Sequence, residues 1–260
     1  MSDRGACGVH PGSCCVDEAE PALSRRGFLS GAATVAVTLA AGVTLVSPAD
    51  ARPADQPASS KVRWGLLIDA NKCEAGCTGC VDACRREQGW EGHGRPTQDP
   101  QWIRKLDVKD ARSGRKFSLP FMCQHCASPP CVDVCPTGAS FKRADGIVLV
   151  DRHVCIGCRF CMMACPYKAR SFVHEEVENQ KPHMPRGKGC VEACTLCVHR
   201  VDNDQLPACV EHCSAKATGA MLFGDLNDPN SEISKRVATY ATTRIRQDLG
   251  VSPGVYYQGI

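Results

Sequence analysis

The chain has 260 residues, a formal net charge of +3 at pH 7, and 20 cysteines. So small a charge, with the Lys and Arg residues scattered along the sequence, does not favour nucleic-acid binding. So many cysteines exceed the need of an enzyme that uses thiols only for catalysis, and they indicate an exported disulfide scaffold or a metal protein. Because aromatic residues make up only 5% of the chain, we expect bound metal to replace part of the hydrophobic core.

The first 51 residues have the pattern of an export signal. Arg25 and Arg26 precede an uncharged run that reaches Val46, and an Ala-x-Ala cleavage site ends at Ala51. The adjacent arginines indicate the twin-arginine route, which exports proteins already folded around their cofactors, and they predict a periplasmic protein cleaved after Ala51. An uncleaved segment that anchors the chain in a membrane is the alternative. Three cysteines lie in this segment and are not predicted ligands: Cys7, Cys14 and Cys15.

Residues 52–60 are expected to form a flexible linker, and residues 61–223 a metal-binding domain. The run Trp64–Asp69 predicts a strand that leads into a first cysteine motif. The same order of strand, acidic residue and cysteine loop recurs at residues 147–155, after a turn predicted at Asp145-Gly146. This recurrence indicates an internal repeat. Residues 86–120, with strand character at residues 102–108, are interpreted as an insertion that covers metal sites or contacts a partner.

Two four-cysteine motifs occupy the centre of the chain. The first has the spacing Cys-x2-Cys-x4-Cys-x3-Cys-Pro, and the second, Cys-x2-Cys-x2-Cys-x3-Cys-Pro, has the spacing of bacterial ferredoxins. Three cysteines in one tight loop can bind three irons of a [4Fe-4S] cubane. The fourth, before Pro136 or Pro166, is expected to start a helix that leads to the neighbouring cluster. Zinc sites and disulfides are the alternatives, which two complete runs disfavour.

Two further motifs flank the central pair and depart from the ferredoxin spacing. The first has one extra residue after Cys73, and the last has a long insert after Cys197 and Ser214 in the place of the proline. We retain both as ligand motifs because a loop tolerates insertions more easily than a helix does. Cys190 is an alternative ligand to Cys194.

Crosswise ligation, in which each fourth cysteine binds the neighbouring cluster, predicts four [4Fe-4S] clusters and no catalytic residues. The predicted ligand sets are Cys73, Cys77, Cys80 and Cys213; Cys84, Cys194, Cys197 and Cys209; Cys123, Cys126, Cys131 and Cys165; and Cys135, Cys155, Cys158 and Cys161. We expect the two central clusters to lie between an outer pair built from the beginning and the end of the chain. His125 and His199 are expected to hydrogen-bond near a cluster or to face solvent, not to bind iron.

Residues 224–260 are expected to form a docking tail. A turn-rich segment at residues 224–230 precedes Ser231, which is the predicted N-cap of an amphipathic helix over residues 232–247. Residues 254–257 are apolar, and we expect them to dock on a neighbouring protein.

The four motifs from Cys73 to Cys213 resemble those of the iron-sulfur electron-transfer subunits found beside molybdopterin oxidoreductases and quinone-interacting membrane subunits. This resemblance implies an α+β fold of two fused, two-cluster ferredoxin-like modules with insertions and a C-terminal helix. More narrowly, the twin-arginine signal and the run CTLCVHRVDNDQLPACVEHCSAKATGAMLFGDLNDPNSEISK are similar to DsrO-type subunits of the Dsr transmembrane complex of dissimilatory sulfur metabolism. Its segment FGDLNDPNSE is shared with tetrathionate- and polysulfide-reductase subunits.

The narrower resemblance also implies partners. These are a polytopic quinone-interacting membrane subunit, a periplasmic multihaem cytochrome c, and further membrane haem b and cytoplasmic iron-sulfur subunits. The main hypothesis is an electron-transfer subunit, not an enzyme, that relays electrons between the membrane subunit and the cytochrome. A subunit of a tetrathionate- or polysulfide-type molybdoenzyme is the first alternative. An enzyme with one open iron and a protein with purely structural clusters are the others.

Overall fold

A computed structural model of the protein describes residues 57–178 and 180–260. The predicted export signal and the first part of the predicted linker lie outside these residues. Within them, none of the helices has both the length and the apolar character needed to cross a bilayer.

Short helices and strands alternate along the described chain, which confirms a mixed α+β fold. The helices are α1 (Gly79–Gln88), α2 (Pro130–Asp133), α3 (Phe160–Ala164), α4 (Val198–Val201), α5 (Ala208–Lys216) and α6 (Glu232–Thr239), with a 3-10 turn at Gln247–Leu249. The strands are β1 (Trp64–Asp69), β2 (Ile103–Lys109), β3 (Lys116–Met122), β4 (Ser140–Lys142), β5 (Val148–Val150), β6 (Ser171–Phe172), β7 (Val191–Glu192), β8 (Met221–Asp225), β9 (Thr242–Thr243) and β10 (Val255–Gln258).

The largest sheet joins the beginning of the described chain to its end. Its strand order is β8-β1-β10-β9, with β1 antiparallel to β8 and parallel to β10. Strand β1 was predicted from its apolar run, and it lies between β8 and β10. Its successive side chains Leu66, Leu67 and Ile68 are all buried, as expected of a strand whose sheet is covered on both faces. Strand β1 precedes the first cysteine motif, and β8 and β10 follow the last one. The sheet therefore holds together the two ends of the cysteine-rich region.

The predicted docking of residues 254–257 on another protein is wrong for this part of the tail. Strand β10 lies inside the sheet, where Leu66 pairs with Val255 and Ile68 pairs with Tyr257. Val255 and Tyr257 are 1% and 0% exposed. These apolar side chains are buried by their own chain because β1 offers an edge that needs a hydrogen-bonding partner.

Helix α6 begins where the sequence predicts and ends earlier. The Ser231 hydroxyl accepts a hydrogen bond from the Ser234 backbone N–H at 3.2 Å, which confirms the N-cap. The predicted helix over residues 232–247 stops at Thr239, because the β-branched residues of β9 pair with β10 and take the backbone out of the helix. Only the first half of the predicted helix forms.

The predicted insertion contains the hairpin of β2 and β3, which confirms strand character near residues 102–108. Trp102, just before β2, is 1% exposed, and its indole N–H donates to Glu192 Oε2 at 2.9 Å. Glu192 is also held by Arg186 through two hydrogen bonds, of 2.8 and 3.0 Å. This buried ion pair joins the hairpin to the loop before β7.

Arg186→Met is expected to lower stability by about 3–5 kcal/mol, because it leaves Glu192 buried without its cation. The midpoint of urea denaturation of the cluster-loaded protein measures the loss. The double variant Arg186→Met/Glu192→Gln removes both charges and should regain most of the stability. A double variant no more stable than the single one would contradict this account.

Candidate iron-sulfur cluster sites

The third cysteine of each central motif lies in a short helix, and the fourth follows the end of that helix. Cys131 lies in α2 and Cys161 in α3, whereas Cys165 has an extended backbone with φ −70° and ψ 111°. The expectation that a helix starts at the fourth cysteine is therefore wrong. The proline after that cysteine disfavours helical backbone at the residue before it, so the helix ends there.

The central cysteines line two separate small cavities. The first cavity is lined by Cys123, Cys126, Cys131 and Cys165, and the second by Cys135, Cys155, Cys158 and Cys161. In each cavity three thiols come from one motif and the fourth comes from the other, which is the grouping that the crosswise rule predicts.

The packing of α2 against α3 explains this exchange. Cys131 and Cys135 are four residues apart along one segment, and Cys161 and Cys165 are four apart along the other. The two segments contact each other, and Cys131 lines a cavity with Cys165 while Cys135 lines the other with Cys161. The segments thus run in opposite directions, and each contributes one thiol to each cavity.

Helices α1 and α5 repeat this arrangement with the outer motifs. Cys80 and Cys84 lie one turn apart on α1, Cys209 and Cys213 lie one turn apart on α5, and the two helices pack together. Burial raises the pKa of Cys80 to about 11, and the nearby thiols of Cys73, Cys213 and Cys77 act in the same direction.

The remaining outer thiols form the second group. Burial raises the pKa of Cys209 well above its usual value, and Cys197, Cys194 and Cys84 add to the increase. The structure thus brings together the members of each predicted outer set.

Cys190, the alternative ligand to Cys194, lies outside the two outer thiol groups. The Cys190 thiol is near Cys155 and donates a hydrogen bond to the Arg152 carbonyl at 3.4 Å. The alternative in which Cys190 replaces Cys194 is therefore not supported by the geometry, because Cys194 is the thiol that accompanies Cys84 and Cys197.

The four thiol groups form a row. Cys80 and Cys84 connect the first two groups through α1, Cys194 neighbours Cys123 of the third group, and Cys131 neighbours Cys161 of the fourth. The expected order, with the central pair between the outer pair, is wrong. The group around Cys158 ends the row, next to the third group.

The ends of the row are the most accessible groups. Cys158 is exposed, and Cys73 and Cys77 are partly exposed, whereas the cysteines of the two middle groups are buried apart from a partly exposed Cys194. Middle thiols surrounded by protein and end thiols near solvent are the arrangement that a relay of electrons requires.

Hydrogen-bond donors point at the sulfur atoms. Gln88 Nε2 is 3.3 Å from Cys197 Sγ, Trp90 Nε1 is 3.3 Å from Cys84 Sγ, and Arg170 Nη2 is 3.1 Å from Cys131 Sγ. A neutral thiol needs no such donors, but a thiolate bound to iron is stabilised by them. These donors therefore fit [4Fe-4S] clusters in the second and third groups. The sequence motifs do not reveal these donors, although Gln88 lies one helical turn after Cys84.

The two histidines singled out by the sequence have other partners. His125 is buried, and its Nδ1 accepts a hydrogen bond from the Val148 backbone N–H at 3.0 Å. Burial lowers the pKa of His125 to about 3, so its ring is neutral. His199 Nε2 is 2.7 Å from Glu87 Oε1. Neither histidine faces a thiol group through these contacts.

The comparison with known proteins agrees with this chemistry. A family model described as a 4Fe-4S dicluster domain matches residues 115–226. An Hdr-like menaquinol oxidoreductase iron-sulfur subunit 1 from Archaeoglobus fulgidus is 39% identical over 90% of this chain and 97% of its own length. The chain belongs to this family of iron-sulfur subunits.

Other members of the iron-sulfur subunit family carry different names. A subunit of tetrathionate reductase from Salmonella typhimurium is 36% identical, over 91% of this chain and 88% of its own length. A subunit of sulfite dehydrogenase from Allochromatium vinosum is 37% identical, over 74% of this chain and 81% of its own length. Family membership confirms [4Fe-4S] clusters as the cofactors and electron transfer as the role of the chain.

Cys165→Ser is expected to disturb the cluster in the cavity of Cys123, Cys126 and Cys131, because its thiol lines that cavity and not the one of its own motif. Electron paramagnetic resonance of the reduced protein distinguishes the two clusters by their signals. Cys190→Ser is the matched control and should leave the signal of this cluster unchanged, because Cys190 lies near Cys155 and not in this cavity. Loss of the cluster held by Cys155 and Cys158 instead would overturn the crosswise assignment.

Proposed function

We propose that the sixteen grouped cysteines bind four [4Fe-4S] clusters in two ferredoxin-like modules, and that the clusters relay electrons between two partner proteins. The observation that carries this proposal is the row of four thiol groups with its accessible groups at the two ends. Electrons would enter at one end, cross the two buried groups and leave at the other. Burial, hydrogen bonds to sulfur and nearby charge set the potential of each cluster.

The end at Cys158 suits a permanent partner. Four apolar side chains around it are exposed, namely Val154, Ile156, Phe160 and Met163, with Ile156 and Met163 at 67% and 65%. An apolar surface of this kind is typical of permanent interfaces, which resemble a protein core more than transient ones do. We assign this end to the quinone-interacting membrane subunit. The name of the Archaeoglobus relative, a menaquinol oxidoreductase subunit, supports a quinol as the electron donor or acceptor.

The end at Cys73 suits a partner that binds by charge. Lys105 donates hydrogen bonds to the carbonyls of Glu74 and Cys77, at 2.6 and 3.0 Å, and a neighbouring cavity is lined by Lys109, Arg115 and Lys116. Positive charge around an accessible cluster steers an anionic redox protein into a short-lived complex. We assign this end to a periplasmic haem protein, a cytochrome c in a DsrO-type complex.

A molybdoenzyme partner is the second candidate, and the similarity to the tetrathionate reductase subunit of Salmonella typhimurium supports it. The two candidates differ in the protein that occupies the charged end. Purification of the complex from its native membranes separates them, because haem c has a sharp visible absorption and a molybdenum cofactor is detected by metal analysis. Both candidates require the protein to be exported by the predicted twin-arginine signal and held at the membrane by its partner.

The iron content of anaerobically purified protein tests the number of clusters. About sixteen irons and sixteen acid-labile sulfides per chain are expected if each group holds one cubane. A quinol analogue, with the membrane subunit present, should reduce these clusters. About eight irons would limit cluster binding to two groups, and clusters that never change redox state would contradict the relay.

Ile156→Glu/Met163→Glu is expected to prevent assembly with the membrane subunit, because it places two charges in the apolar surface. Iron content and cluster potentials should stay near those of the unaltered protein. Leu206→Glu, at a leucine that is also exposed, is the control and should not affect assembly. Normal co-purification of the double variant would show that the partner binds elsewhere.

A further inference from the structure

Arg170 is a buried cation without a carboxylate partner. The residue is only 5% exposed, and its Nε and Nη1 atoms have no hydrogen-bond partner. Two other arginines differ. The buried Arg186 pairs with Glu192, and the partly buried Arg143 pairs with Asp145 and Asp202. No such ion pair involves Arg170 anywhere in residues 57–178 and 180–260. A guanidinium in this state needs a negative charge that the amino acids do not supply.

The thiols around Arg170 belong to two different groups. Its Nη2 donates to Cys131 Sγ at 3.1 Å, and Cys123 of the same group is nearby. On the other side Cys161, which belongs to the last group of the row, is near the guanidinium. The guanidinium therefore lies between the third and fourth groups. Its planar fork of five N–H donors can contact both at once.

From this position we infer that Arg170 sets the reduction potentials of the last two clusters and lowers the electrostatic barrier to electron transfer between them. The inference rests on the proposed binding of clusters by these two groups. A cluster held by four thiolates is anionic, and each added electron increases its negative charge. A fixed positive charge between two such clusters stabilises the reduced form of each and weakens their mutual repulsion. Since arginine remains protonated at all working pH values, the effect is constant.

Three substitutions separate the charge from the hydrogen bonds. Arg170→Gln removes the charge and keeps a donor, Arg170→Lys keeps the charge in a different shape, and Arg170→Met removes both. Arg246→Gln is the matched control, because it removes the same charge from an exposed arginine that pairs with Asp248. The measurement is a redox titration of the cluster-loaded protein followed by electron paramagnetic resonance, with iron counted in each sample.

We expect Arg170→Gln and Arg170→Met to make reduction of the third and fourth clusters at least tenfold less favourable, a shift of about 59 mV for one electron. The first two clusters should keep their potentials, Arg170→Lys should stay closer to the unaltered protein, and Arg246→Gln should change nothing. Unchanged potentials in Arg170→Gln, or an equal shift of all four clusters, would overturn the inference.

Loss of iron also gives a decisive result. If Arg170→Gln loses only the third and fourth clusters while Arg170→Lys retains them, the potentials of Arg170→Lys decide. Potentials of these two clusters close to those of the unaltered protein support the inference, and a shift of about 59 mV or more overturns it. If both variants lose iron from all four groups, Arg170 is a folding residue and the inference fails. If the proposed function is wrong, clusters are missing from the unaltered protein as well. That result is distinct from one in which only the Arg170 variants change.

Discussion

The structure depends on one constraint, which is that buried sulfur can carry negative charge only when iron accompanies it. All seventeen cysteines of the described residues are free thiols, and many of them belong to the largest hydrophobic cluster together with Trp90, Trp102 and Tyr257. Burial alone raises the pKa of these thiols and keeps them neutral, as it does at Cys123, where the pKa is raised to about 12. Cluster binding removes the protons and fills the cavities. Cluster insertion and folding are therefore expected to be a single process.

Two pairs of antiparallel helical segments satisfy this constraint. In each pair, each segment carries two cysteines four residues apart, and these two thiols belong to neighbouring groups. Both segments of the pair therefore connect the same two groups. The result is a row and not a ring, with buried groups in the middle. Arg170 lies at the last junction, and the donors Gln88 and Trp90 lie at the second group. The surroundings of the groups therefore differ along the row.

The sequence predicts the local features of the site because they depend on neighbouring residues. Spacing identifies the sixteen cysteines and the crosswise grouping, the apolar run identifies β1, and Ser231 identifies the start of α6. The features that it does not predict depend on contacts between distant segments. The pairing of β10 with β1 removes the expected docking surface, and the approach of Cys194 to Cys123 changes the order of the groups. Cys190 was ambiguous in sequence because only the fold shows that it lies beside Cys155.

The central claim is that four clusters lie in a row, each bound by cysteines of two motifs. A crystal structure of the anaerobic protein, with anomalous scattering recorded at the iron absorption edge, tests it most directly. The account predicts four separate iron peaks in a row. Along the row, the peaks lie at the ligand sets that contain Cys73, Cys84, Cys123 and Cys135, in that order, with Arg170 between the last two. Two peaks, or a cluster bound by all four cysteines of a single motif, would contradict it.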